Sequence, residues 1–147
     1  MSSKRGQLST ELLIIIGLML LLLVPLLYYA YNRANIAKED IGIQKAEFAA
    51  ERLARLADSV GYLGGASMII DEIEIPPGVK SVSISGNKHD IVFEMDTSTG
   101  TKQIVKSSAF SIRDAGVGTI KREGSYQVKI QALSDFEGEE QIEMGLE

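Results

Sequence analysis

The sequence predicts an α+β protein: one long N-terminal helix, membrane-spanning in its first half, followed by a small antiparallel β-sheet or β-sandwich. Three observations support this prediction. Residues 12–30 carry no charge, residues 43–60 repeat apolar residues at helical spacing, and apolar and polar residues alternate from residue 69 onward. We expect four segments: a leader over 1–6, an apolar helix over 7–31, its amphipathic continuation over 32–64 and a β-rich domain over 65–147.

The composition excludes several classes of function. The chain of 147 residues has 15 basic and 20 acidic side chains, one His and no Cys. Disulfides, thiol chemistry and multi-His metal sites are therefore excluded, and the acidic balance argues against nucleic acid as a partner. His89 and Asp90 fall in a predicted hairpin loop. Adjacent residues on a strand point to opposite faces, so these two side chains are poorly placed to form the His–Asp pair of a catalytic triad. We expect no catalytic residue, no cofactor and no metal.

The apolar run Leu12–Ala30 is long enough to cross a bilayer. Its 19 residues span roughly 28 Å as a helix. The run is apolar on all sides and too long for the core helix of a small domain, and a secretory signal peptide has a shorter stretch followed by small residues. A retained membrane helix fits best, with a kink expected at Pro25. Basic residues on the two sides are nearly balanced, so they give only weak support for a cytoplasmic N-terminus.

The residues before this run form a specific motif. Lys4, Arg5 and Gly6 are followed by Gln7, and Ser9 and Glu11 complete a Gln-x-Ser-x-Glu box. The motif and the apolar run together, about the first 30 residues, resemble the class III signal peptide of archaeal type IV pilin-like proteins. The resemblance implies that a prepilin peptidase recognises Lys4, Arg5, Ser9 and Glu11 and cleaves between Gly6 and Gln7.

The same resemblance implies a function in a surface filament. Glu11, Leu12 and Pro25 would take part in subunit assembly with copies of the chain or related pilins. A membrane, an assembly ATPase and a membrane platform protein are the other implied partners, and the β-rich domain would be extracellular. A membrane-anchored binding module, a minor pilin or pseudopilin, and an archaellin-like subunit stay open as alternatives, as does a use in adhesion, secretion or motility.

Glu11 has two possible explanations. A carboxylate in the first helical turn, with Ser9 as the N-cap, is stabilised by the helix dipole. In a filament, the resemblance implies that Glu11 lies against the N-terminal amine of a neighbouring Gln7. A carboxylate inside an apolar bundle requires such a partner, so this pairing would set the axial register. With the leader motif present, we favour the second explanation.

The polar stretch after Tyr31 is expected to continue the helix. A 3-4-3-4-3 spacing predicts one buried face, and glycines at 61, 64 and 65 predict the end of a helix that runs from about Ser9 to Leu63. Gly42 is a predicted soft point. The apolar positions of this face are Ile43, Ala46, Ala50, Leu53, Ala57 and Val60.

About six short antiparallel strands are predicted beyond the helix. Pro77 and Gly78 suit the centre of a type II turn, and Gly86-Asn87 marks a hairpin. Residues 141–146 are expected to form an edge strand. The tail from Asp135 to Glu147 has six acidic residues and no basic one, which indicates a solvated, negatively charged rim. A calcium site is not expected there, because Glu137–Glu140 lacks the spacing of an EF-hand. Six of the predicted strands cover residues 73–75, 82–84, 91–95, 102–106, 109–112 and 126–132, and the edge strand 141–146 follows them.

Overall fold

A computed structural model describes residues 3–65, 67–134 and 140–147, with side chains for 10–65, 67–133 and 141–147. A long apolar N-terminal helix precedes two β-sheets, which confirms the predicted α+β class. Within the described ranges the elements are α1 (Ser3–Leu63), β1 (Met68–Ile75), β2 (Val79–Ile84), β3 (Asp90–Thr97), β4 (Gly100–Ser107), β5 (Ser111–Ala115), a 3-10 turn (Val117–Thr119), β6 (Gly124–Ser134) and β7 (Glu140–Leu146).

The chain divides into two compact units, residues 1–38 and residues 39–147. The first unit contains the apolar part of α1, which includes Pro25. Every described side chain from Thr10 to Lys38 is exposed. The second unit contains the rest of α1 and all the described strands, and it holds the hydrophobic core.

Two sheets make up the β part of the second unit. One has the strand order β1-β6-β7-β5, and the other has the order β2-β3-β4. The predicted strands all overlap these elements, but two details of the prediction were wrong. Residues 141–146 lie in β7, which is an interior strand rather than an edge strand. Strands β5 and β7 are parallel rather than antiparallel. The 3-10 turn and β6 lie between them in the chain, and β6 runs back to the end of the sheet where β5 begins, so β7 starts from that same end.

The predicted helical face is the part of α1 that enters the core. Ala46, Ala50, Leu53, Ala57 and Val60 are fully buried, and Ile43 is partly buried. Alanine at three of these positions leaves room on the buried face of α1 for the large side chains of the sheets. The core side of the sheets is lined by large side chains, among them Ile73, Phe93, Ile130, Ile142 and Met144.

Glycine and proline fix the ends of the elements as predicted. The amide of Gly64 donates to the carbonyls of Val60 and Gly61, and Gly64 has a φ of 75°, which glycine adopts at a helix C-terminus. The amide of Val79 donates to the carbonyl of Pro76, and Gly78 has a φ of 94°, as a type II turn requires. Gly42 does not interrupt α1. A Cβ atom there would lie 3.4 Å from the carbonyl oxygen of Pro77, so glycine permits this close packing.

Candidate functional site

The residues of the predicted cleavage motif belong to the N-terminal turns of α1. The backbone of Lys4, Arg5, Gly6, Gln7 and Ser9 is helical, and their side chains lie outside the described residues. The described part of α1 already includes Ser3, so Ser9 lies inside this helix and is not its N-cap. Glu11 is consequently beyond the first turn of the uncleaved helix, where the helix dipole has little effect on a carboxylate. The dipole explanation of Glu11 therefore does not apply to the uncleaved chain.

The apolar run is the largest exposed hydrophobic surface among the described residues. Its large side chains are between 45% and 70% exposed, with Ile16 at the lower limit and Leu21 at the upper. Leu12 is exposed, and Pro25 lies inside the helix without ending it. Within the described residues, one helix is long enough and apolar enough to cross a membrane, and it contains this run. None of its most apolar stretch is buried. Such a helix indicates membrane association or a signal sequence.

A polar contact marks the C-terminal end of the apolar run. The Nε atom of Arg33 donates a hydrogen bond of 3.0 Å to the hydroxyl of Tyr29, and its guanidinium carbon lies 5.4 Å from the Tyr29 ring centroid. Tyr28 and Tyr31 are exposed beside them. Tyrosine and arginine side chains with an apolar stem and a polar tip suit the boundary between lipid and water.

The second unit exposes another surface of α1, which the sequence analysis missed. Ile41 and Phe48 are 54% and 68% exposed, on the side of the helix opposite its buried alanines. Grooves of about 390 and 350 Å³ lie next to Phe48, and Arg52 lines both. The available signal is the seven-residue separation of two apolar residues inside a polar stretch.

Ion pairs join one flank of this surface to the free edge strand β1. The Nη2 atom of Arg52 lies 2.8 Å from the Oδ1 atom of Asp71, and the Nζ atom of Lys45 lies 3.6 Å from Glu74. The Oδ2 atom of Asp71 is buried and has no hydrogen-bond partner. These pairs keep the cationic flank of α1 beside β1.

The other flank of α1 is held by the connection between β4 and β5. The carboxylate of Asp58 accepts hydrogen bonds from the hydroxyl of Ser108 (2.7 Å) and the amide of Ala109 (2.8 Å). One turn later, the Tyr62 ring meets the Phe110 ring edge to face at 5.1 Å. These contacts fix the end of α1 to the sheets.

The loop around His89 places Asn87 and Ser107 beside the carboxylate of Asp90. His89 is exposed, and its side chain makes no described hydrogen bond. Ser107 and Asn87 donate to the carboxylate of Asp90, and these bonds lower the pKa of Asp90, with Ser107 as the larger cause. The part of the chain with described side chains also holds no group of three acidic or His residues placed to bind a metal. Residues 135–139 of the acidic tail lie outside the described residues.

No family model, curated protein or solved structure matches this chain. The order of its elements, a long apolar N-terminal helix followed by a small β part, is compatible with a pilin-like subunit.

Proposed function

We propose that this chain is a structural, pilin-like subunit of an archaeal type IV pilus-like surface filament, with no catalytic role of its own. One observation carries the proposal. The helical run of residues 12–30 is exposed on all sides, and it directly follows a basic-Gly-Gln-x-Ser-x-Glu motif. A helix of this kind must be covered by lipid or by other helices. The motif favours a chain that meets both in turn, first lipid and then sister helices.

The position of the cleavage site explains how one helix can serve both environments. Cleavage between Gly6 and Gln7 removes Lys4 and Arg5 and retains the whole apolar run. Two positive charges near the cytoplasmic face oppose movement of the helix through the membrane. Their removal lets the helix leave along its own axis. An ordinary signal peptidase would instead remove the run and release the rest of the chain, the second unit included, from the membrane.

Cleavage also gives Glu11 a new environment. In the shortened chain Glu11 becomes the fifth residue, within reach of the helix N-terminus of a neighbouring subunit. A bilayer is as apolar as a bundle of leucine side chains, so transfer between them gains little hydrophobic free energy. Helix packing and the pairing of Glu11 with the amine of Gln7 would therefore select the register, while an energy-using motor drives export.

A processing experiment tests this proposal. Gly6→Leu places a large side chain at the cleavage site, and we expect a longer species that stays in the membrane and is absent from filaments. Gly17→Ala is the matched control, because a Cβ atom there meets nothing within 4 Å and lies beyond the motif. Normal processing of Gly6→Leu would contradict the proposal.

The main competing function is a binding module held in the membrane by a monomeric anchor. An exposed apolar helix is equally compatible with such an anchor. Sheared surface filaments that contain the chain would exclude this alternative. A chain that stays monomeric in the native membrane would favour it.

A further inference from the structure

Two strand edges of the second unit have no neighbouring strand among the described residues. Within those residues, β1 and β5 border one sheet, and β2 and β4 border the other. The edges of β5 and β2 are covered, because the amide of Ile112 in β5 donates to the carbonyl of Lys88 in the loop after β2. The amide of Val82 in β2 donates to the carbonyl of Ile120 after the 3-10 turn. Strands β1 and β4 are left as open edges, and an open edge is a template for another strand.

The two open edges run in opposite directions along α1. Along β1, the later residue meets the earlier helix position, so β1 runs antiparallel to α1. Beside β4, the turn before the strand meets the earlier helix position and the connection after it meets the later one, so β4 runs parallel to α1. The contacts are Arg52–Asp71 and Lys45–Glu74 for β1, and Glu39–Ser98 and Asp58–Ser108 for β4. Two copies with parallel helices therefore bring β1 of one copy beside β4 of the next as an antiparallel pair.

The side chains of the two edges match in this arrangement. Ile73 of β1 and Ile104 of β4 are buried, so Ile70 and Val105 lie on the outer faces of their sheets. These two apolar side chains are 44% and 49% exposed. Both strands have 8 residues. With Ile70 opposite Val105, the two side chains cover each other, and the core-facing and outer faces of both copies stay on the same sides of the joined sheet.

The charges of the edges favour unlike over like pairing. Strand β1 has 3 acidic side chains and no basic one, whereas β4 has 2 basic side chains and no acidic one. They are Asp71, Glu72 and Glu74 on β1, and Lys102 and Lys106 on β4. Two β1 edges, or two β4 edges, would bring like charges together. A contact of β1 with β4 joins unlike surfaces, so it leaves one free edge at each end and can continue from copy to copy.

The existing ion pairs leave this contact possible. Among the described residues, Glu72, Lys102 and Lys106 form no ion pair. Lys45 lies 3.6 Å from Glu74 beside the β1 edge, and their side chains are 55% and 71% exposed. An ion pair so exposed contributes little free energy, so it can open when another strand approaches.

The axial offset that the proposed function implies is compatible with strand pairing. Contact of Glu11 with Gln7 of a neighbouring copy displaces the two helices by four residues, about 6 Å. This displacement is close to two residues of an extended strand. A slip of two residues keeps every side chain on the same face of the sheet, so the two edges remain compatible.

We propose that the open edges β1 and β4 of neighbouring copies pair antiparallel, in a head-to-tail contact that joins the β parts of successive subunits into one continuous sheet. This inference rests on the proposed function, because the membrane and then the filament hold the helices of the copies parallel. A single strand pair is too small to associate free chains strongly. Anchoring of α1 raises the effective concentration of the two edges and so permits the contact.

Paired cysteines test this contact in the full chain, both in native membranes and in sheared surface filaments. The chain has no Cys, so the introduced thiols are the only ones. We expect mild oxidation of Ile70→Cys/Val105→Cys to give a ladder of dimers, trimers and higher oligomers. Each single variant should stay monomeric, because its thiol faces a residue without one. Ile70→Cys/Ala115→Cys is the matched control, since Ala115 is exposed on β5, whose edge is covered.

Two results would overturn the inference. One is a ladder no stronger than that of Ile70→Cys/Ala115→Cys. The other is a dimer of either single variant as abundant as the ladder, because a thiol that meets its own copy indicates a contact between like edges.

The charge at position 105 tests the partner strand independently. In a Glu74→Cys/Thr101→Cys background, whose thiols face each other in the same register, Val105→Glu and Val105→Lys lose the same apolar contact but carry opposite charges. Glu72 of the neighbouring copy lies diagonal to position 105, so Val105→Glu should give about threefold less ladder than Val105→Lys. Adding Glu72→Lys should reverse this order. Equal yields, or an order that does not reverse, would overturn the pairing.

The outcomes separate the two proposals. If the chain in filaments begins at Gln7 but no ladder exceeds the control, the edge pairing is wrong and the pilin-like function stands. If the ladder forms in membranes but the chain never enters filaments, the edge pairing stands and the filament function is wrong. A chain that forms no ladder and never enters filaments overturns both.

Discussion

The two halves of α1 differ in how their apolar side chains are covered. Residues 12–30 are apolar on every side, and no described residue covers them. Residues 43–60 confine their buried side chains to one face, and the chain's own sheets cover that face. One domain can cover a helix that has a single apolar face. A helix that is apolar on all sides must be surrounded by lipid or by other helices. The apolar side chains of the second half are therefore covered within the chain, whereas those of the first half require lipid or other helices.

The largest expected effect comes from removing a buried side chain in the second half. Leu53 is fully buried, so Leu53→Ala should lower the free energy of unfolding of the second unit by about 3 kcal/mol. Leu20→Ala, the matched change in the exposed first half, should leave that free energy unchanged. Hydrogen exchange of the β3 amides in detergent micelles measures both. Equal effects of the two substitutions would remove the distinction between the halves.

A smaller effect is expected at the polar contact that holds the second half. Asp58→Ala removes the acceptor for Ser108 and Ala109 and should destabilise the second unit by about 2 kcal/mol, since Ser108 is only 6% exposed and would lose its partner. Glu47→Ala is the control, a helix carboxylate without a described partner. Chemical denaturation followed by circular dichroism gives both values. If Glu47→Ala costs as much as Asp58→Ala, the Asp58 contact does not hold α1.

The smallest expected effects come from the same glycine-to-alanine substitution made once in each half of α1. Gly61→Ala would place a methyl group into the Phe110 ring, so the cost of overpacking exceeds the gain in helix propensity by about 1 kcal/mol. Gly17→Ala meets open space, and it should strengthen the helix slightly without changing the second unit. Thermal melting of the two variants side by side checks the sign of each effect. An increase in melting temperature for Gly61→Ala would mean that Phe110 moves away without cost.

Features set by neighbouring residues were predictable from the sequence. The end of α1 follows from Gly64, the first turn of the β part from Pro77 and Gly78, and the buried face of α1 from the spacing of its alanines. In each case the determining residues lie within one turn or one repeat of the structure they fix.

Features set by distant residues were not predictable in the same way. The parallel pairing of β5 with β7, and the interior position of β7, depend on strands far apart in the sequence. The contact of Asp58 with Ser108 joins residues 50 positions apart. Ile41 and Phe48 are a different case. Their seven-residue spacing is visible in the sequence, but only the structure shows that both side chains are exposed.

N-terminal sequencing of the protein from its native membrane and from sheared surface filaments tests the central claim most directly. The account predicts a chain in filaments that begins at Gln7, with Glu11 as its fifth residue. A chain that retains Met1 and stays monomeric in the membrane would contradict it.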